Sequence, residues 1–158
     1  MSDPLDPFLV SAQSGSGTGD SFTSFVGHPL NQRSIVSEPS ILQFLAERAE
    51  IDPLFKSQLL AAVEESKVDV RVSQAAANAI SILVMAGVPF NGVDLRGIRI
   101  PGADLRGGQF DSADLEGADL SDVNLTKAWL RQANLSGAHM VGVQFGELPY
   151  LEVGEGIW

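Results

Sequence analysis

The chain contains no cysteine, which excludes disulfides, thiolate chemistry and cysteine-based metal sites. Its only histidines are His28 and His139, and neither has a nucleophile at a recognisable spacing. Bases are scarce too: ten Lys and Arg stand against twenty Asp and Glu, for a formal net charge of −10. The acids are spread along the chain and no basic patch occurs, which argues against direct binding to nucleic acid phosphates. No apolar run is long enough to cross a membrane, and Met1-Ser2-Asp3 does not begin a basic, apolar leader. These absences predict a cytoplasmic protein of one domain plus a tail. They offer no residue set for catalysis, for a cofactor or for a metal ion.

What the chain does have is a beat of five. Every fifth residue from Phe90 to Tyr150 is large and apolar, through Leu95, Ile100, Leu105, Phe110, Leu115, Leu120, Leu125, Leu130, Leu135, Met140 and Phe145. Two places before each lies a small or second apolar residue, as in Ala103, Gly108, Ala113, Ala118 and Ala133. This period is neither that of a helix nor that of a plain strand. It describes a chain that turns a corner every five residues and returns its large side chain to a shared axis, which is a solenoid. Glycine recurs at the fifth place, for example Gly97, Gly107 and Gly117, where tight backbone geometry suits a residue without Cβ.

The units Ala103-Asp104-Leu105, Ala113-Asp114-Leu115, Ala118-Asp119-Leu120 and Ala133-Asn134-Leu135 resemble the A(D/N)LXX units of the pentapeptide-repeat family. The resemblance implies a right-handed quadrilateral β-helix with four units per coil. The expected fold is therefore a mainly β solenoid of about three coils with an N-terminal three-helix cap, α+β overall. At a strand spacing of ~4.8 Å the stack would be only about 15 Å tall. Four walls follow from the register. The first stacks Phe90, Phe110, Leu130 and Tyr150; the second Leu95, Leu115 and Leu135; the third Ile100, Leu120 and Met140; the fourth Leu105, Leu125 and Phe145. Outside, the register sets Arg96 beside Glu116, Arg99 beside Asp119 and Asp111 beside Arg131, read as ladders of opposite charge between coils.

The expected organisation is a disordered tail over 1–33, a helical cap region over 34–87, the repeats over 88–152 and a C-terminal tail over 153–158. The tail reading rests on the Ser, Gly, Asp and Pro content of residues 1–33, although Phe8, Leu9, Phe22 and Phe25 offer a means of binding, including to the chain's own body. Three helices should follow. Ser37 and Pro39 open the first, Asp52 and Pro53 the second, and the third begins near Ser73 and ends at Gly87. A solenoid needs its open end covered, so the third helix is expected to lie across the first coil through Ile80, Leu83 and Val84.

Asp94, Asp114 and Asn134 form one outer column and Asp104, Asn124 and Gln144 another, for which ladder hydrogen bonding is expected before a cation. The glycosylation-like Asn124-Leu125-Thr126 and Asn134-Leu135-Ser136 are products of the repeat itself. One outward position departs from the pattern. Trp129 stands where Asp or Asn is usual and shares its column with Pro89, Gln109 and Pro149, making these four the candidate contact surface unless the N-terminal tail or a helix covers them.

The function expected is a non-catalytic protein-interaction or scaffold module with an unknown protein partner, no direct nucleic acid binding and no membrane contact. Register is lost after Leu151, since Glu155 falls where an apolar residue is due, so homo-oligomerisation through the C-terminal end coil is a further expectation. Residues 37–150 also resemble a segment of large fungal proteins with NACHT or WD-repeat parts, similar to intracellular immune-type sensors; no phosphate-binding loop or WD unit is present here. The alternative is DNA mimicry, in which some pentapeptide-repeat proteins present an acidic rod to a type II topoisomerase. The short stack and the interruptions at Arg96, Arg99, Arg106 and Arg131 place it second.

Overall fold

A computed structural model describes residues 24–146 of the 158-residue chain. Three α-helices occupy its first half: α1 (Pro39–Ile51), α2 (Pro53–Glu65) and α3 (Ser73–Met85). Asp52 ends α1 and caps α2, its carboxylate accepting from the Leu54 and Phe55 N–H groups, with Pro53 placed where no N–H is needed. At α1 the cap differs from the expectation. Glu38, not Ser37, holds the N-cap position, and its carboxylate is engaged by Arg33 instead of the helix end. The third helix ends as the sequence foretells. Gly87 adopts φ +85°, its N–H donates to Val84 and the Val88 N–H to Leu83, both at 3.0 Å, which closes the helix and turns the chain into the repeats.

The boundary expected at residue 33 is not observed, because residues 24–33 belong to the folded body. Phe25 and Leu30 are enclosed in the helical core, and His28, expected in a floppy tail, is buried beside Phe25. The Glu65 carboxylate accepts from the Ser24 hydroxyl and the Phe25 N–H. Asn78, wholly buried in α3, accepts from the Ile35 N–H and donates to the carbonyls of Leu30 and Arg33. Composition misses this because two apolar anchors and two polar side chains distant in sequence are enough to pin the strap. Residues 1–23 and 147–158, including the expected 153–158 tail, lie outside the described residues.

In the second half the pairing runs at one spacing. Asp94 bridges Asp114, Arg99 bridges Asp119, Asp104 bridges Asn124, and Gln109 bridges Trp129, all parallel and all twenty residues apart. Asp114, Asp119 and Asn124 bridge onward in the same way to Asn134, His139 and Gln144. Four units therefore make one coil. The described residues hold the three expected α-helices, and the repeats pair through isolated bridges with no continuous strand. The reason is local: each unit spends two of its five residues turning, which leaves a wall too short for more than one bridged residue. Every turn has its fifth-place residue at positive φ, from Gly92 at +71° to Gly142 at +78°, and also Ser112, Asp122, Lys127 and Gln132 at +58° to +63°. Large residues from Phe90 to Leu125 are buried along the axis, where the Phe90 and Phe110 rings stack at 5.4 Å and 5°.

The helices supply what a preceding coil would have supplied. Within the stack, the second-place N–H groups from Asp114 to Gln144 each donate to a carbonyl one coil earlier, as Asp119 does to Ile98 at 2.8 Å. The first coil has no earlier coil. Its Arg99 N–H donates instead to Ser66 Oγ at the end of α2, and its Asp104 N–H to Ser81 Oγ in α3. Each hydroxyl passes its own proton back to its helix, Ser66 to the Val63 carbonyl and Ser81 to that of Ala77. Arg99 also donates to the Ser66 carbonyl, and Lys67 Nζ reaches the Asp94 carbonyl at 3.0 Å. On the first wall Pro89 has no N–H to satisfy. Two buried serines thus turn a helix surface into a hydrogen-bonding edge for the coil.

Candidate interaction surface

The second place of each unit is polar for a geometric reason. Asp94, Asp104, Asp114, Asp119, Asn124 and Asn134 each accept, through the side-chain oxygen, the backbone N–H two residues ahead, at 3.0 to 3.2 Å. This bond holds the corner, and only a short side chain with an oxygen acceptor makes it. The acidic columns are therefore turn acceptors, and no group of carboxylates and histidines suited to a metal occurs among the described residues. Arg99 departs from the pattern harmlessly, since Pro101 follows and brings no N–H to satisfy.

The first wall departs from it in another way. Pro89, Gln109 and Trp129 lack the acceptor, and the corner is held from the neighbouring coil: Asn91 Oδ1 accepts the Asp111 N–H at 2.9 Å, and Asp111 Oδ1 accepts the Arg131 N–H at 2.8 Å. Asp111 Oδ2 also takes Arg131 Nη2 and Nε at 2.8 and 3.1 Å. The same guanidinium lowers the Asp111 pKa, chiefly through these hydrogen bonds. Held in this way, Arg131 sits 5.4 Å from the centre of the Trp129 ring. The displaced acceptors release the outward column from turn duty, leaving it free to carry a proline, a glutamine and a tryptophan.

Trp129 is 55% exposed, and Gln109 and Pro89 are exposed in the same column. None of the described helices covers them. Pro89 also lines a cleft of about 320 Å³ with Ala49, Glu50, Pro53, Lys56 and Val88. Pro149, the fourth residue of the expected column, lies outside the described residues. The expected ladder of Asp111 with Arg131 is present, whereas Arg96 pairs not with Glu116 but with Asp94 at 2.8 Å and Asp114 at 3.7 Å. Of the two cations that flank Trp129, the sequence pattern does not single out Lys127 and marks Arg131 only as the ladder partner of Asp111. The available signal is the row Lys127-Ala128-Trp129-Leu130-Arg131, in which alternate residues face outward.

Comparison with known protein families places this geometry. Pentapeptide repeats match residues 90–126 and 118–147, in eight copies. The repeat segment matches the pentapeptide-repeat model. No curated protein matches the chain. In this pentapeptide-repeat segment, second-place Asp or Asn is a corner acceptor and large third-place residues fill the axis. The first wall is where the segment relaxes the first requirement while keeping the second, since Phe90 and Phe110 remain buried beneath Pro89 and Gln109. Among the described residues, no helix is long and apolar enough to cross a membrane.

Proposed function

We propose that the protein is a non-catalytic interaction module whose repeats form a right-handed quadrilateral β-helix and whose first wall is the contact face for a protein partner. The observation that carries this reading is the displaced corner acceptor, which frees Pro89, Gln109 and Trp129 from structural duty and leaves the tryptophan outward beside a fixed arginine. Exposed Trp and Arg in a positioned pair are the side chains that dominate protein interfaces. The resemblance of residues 37–150 to a segment of fungal NACHT and WD-repeat proteins supports a scaffold role within a larger cytoplasmic assembly.

A photo-crosslinking residue at Gln109 tests the contact face, with one at His139 on the third wall as control. Adducts formed from position 109 and abolished by Trp129→Ala support the reading. Equal adducts from both walls, or none from either, overturn it. The net charge of −10 is what favours topoisomerase binding by DNA mimicry as a second reading. Inhibition of supercoiling or relaxation by stoichiometric protein would bring that reading forward.

Self-association through the end coil is part of the same proposal. Leu130, Leu135 and Met140 are only partly buried, and Phe145 is 45% exposed. Light scattering that reports an oligomer, lost on Phe145→Glu, supports it; a monomer at every concentration removes it.

A further inference from the structure

We propose that the acidic stretch from Asp3 to Val10 docks on the Trp129 wall and must leave it before a partner binds. This rests on the first wall being the contact face, and adds how that face is regulated.

Cations gather beside Trp129 on an otherwise acidic protein. Lys127, Trp129 and Arg131 are exposed on one short segment, so neighbouring members of the row are at most about 7 Å apart along the backbone. Lys127 makes no ion pair or side-chain hydrogen bond among the described residues. Arg131 gives Nε and Nη2 to Asp111 and keeps Nη1 unused. Arg106, at the corner one coil earlier, adds a third cation, although it is paired with Asp104. Two cations with donors to spare therefore bracket an exposed indole.

The chain's own N-terminus carries the complementary chemistry. Residues 1–23 contain Asp3, Asp6 and Asp20 and no base. In Asp3-Pro4-Leu5-Asp6-Pro7-Phe8 two prolines favour an extended, polyproline-like backbone, the form that lies on aromatic side chains with little loss of entropy. At ~3.1 Å per residue, Asp3 and Asp6 stand about 9 Å apart, within reach of Arg131 and Lys127 on either side of the indole. Charge argues against the other exposed apolar strip, Ile41, Phe44 and Ile51 on α1. There Glu47 and Glu50 would repel the stretch, and Arg48 is already paired with Asp52.

The tether is long. Ser24 is pinned to Glu65, and Val10 lies fourteen residues earlier through a Ser- and Gly-rich connection. Such a linker extends to at most ~46 Å and averages roughly 20 Å end to end. Short tethers give effective concentrations in the millimolar range, so a weak contact of a few acids and one ring is populated within the chain and remains displaceable.

The test uses the full chain and its NMR spectrum. In the triple variant Asp3→Asn, Asp6→Asn, Phe8→Ala, the Trp129 indole signal and the Lys127 and Arg131 amides should shift, and high salt should move the unsubstituted protein in the same direction. Signals from Phe44 and Ile51 should stay in place. An unchanged Trp129 region, or shifts confined to α1, overturns the proposal. Crosslinking from position 109 should rise several-fold in the triple variant. If the shifts occur but position 109 forms no adduct, docking stands and the partner reading falls. If position 109 crosslinks equally in both proteins and no shift occurs, the partner reading stands and docking falls.

Discussion

Asp111 holds Arg131 from one coil away, taking its backbone N–H at 2.8 Å and its guanidinium at 2.8 and 3.1 Å. At Asp94, Asp104, Asp114, Asp119, Asn124 and Asn134 the corresponding acceptor comes from within the unit. One carboxylate thus fixes both a corner and the cation beside Trp129; Asp94 and Asp104 do the same for Arg96 and Arg106, but from within their own units. Asp111→Ala should lower the melting temperature and broaden the Arg131 signals, while Asp111→Asn, which keeps an oxygen for the backbone N–H, should lower it less. Equal losses from both variants would mean that the corner bond contributes nothing.

The serine edge gives a second expectation. Ser81→Ala leaves the Asp104 N–H without its acceptor, and Ser66→Ala does the same to Arg99, at sites where the serines are wholly buried. Each should cost about 1–3 kcal/mol in urea unfolding. A loss below about 0.5 kcal/mol for both, the low end of a net hydrogen bond, would show that the helices do not act as the missing coil.

A third expectation concerns pH. Burial pushes His28 from 6.5 down to about 4, and its Nδ1 accepts the Leu30 N–H, which requires the neutral ring. Above pH 6.5 the ring is neutral in both folded and unfolded chains and contributes no pH dependence. Between 6.5 and about 4 only the unfolded chain takes up the proton, so stability falls as pH falls. The loss should reach about 2 kcal/mol near pH 4, after allowance for partial solvent screening. The difference in unfolding free energy between about pH 7 and about pH 4.5 measures it, and His28→Gln should flatten that difference.

Two backbone positions should respond with opposite signs. A Cβ on Gly108 would lie 2.5 Å from the Phe110 ring, which cannot retreat because it stacks on Phe90. Gly108→Ala should cost about 1–3 kcal/mol. Gln132 is exposed and holds φ +61°, a conformation that glycine adopts without penalty. Gln132→Gly should stabilise by roughly 0.5 kcal/mol, the relief of strain being partly offset by the freer unfolded chain. Thermal unfolding of the two variants side by side checks both signs.

Much of the axis is legible in the repeat itself. The positions of Phe90, Leu95, Ile100 and Leu105 follow from period alone, because a chain that turns every five residues returns every fifth residue inward. Trp129 stands out as an exception for the same reason. The strap around Phe25 and Asn78 does not, since its anchors are brought together only by helix packing over some forty to fifty residues of separation. Lys127 looks like ordinary surface charge in the sequence and Arg131 like a ladder partner of Asp111, and only the structure shows the Asp111 carboxylate taking the Arg131 backbone N–H as well.

By itself, then, the sequence determined the five-residue corner, the inward columns, the helix end at Gly87 and the departure at Trp129, all of which depend on neighbours a few residues apart. Only the tertiary structure decided which groups close the first coil and what holds the first wall. Ser66 and Ser81 meet Arg99 and Asp104 across gaps of more than twenty residues, and Asp111, which the register already set beside Arg131, also takes its backbone N–H. Local pattern cannot specify such bonds, because their worth depends on burial and alignment that exist only once the coils have stacked.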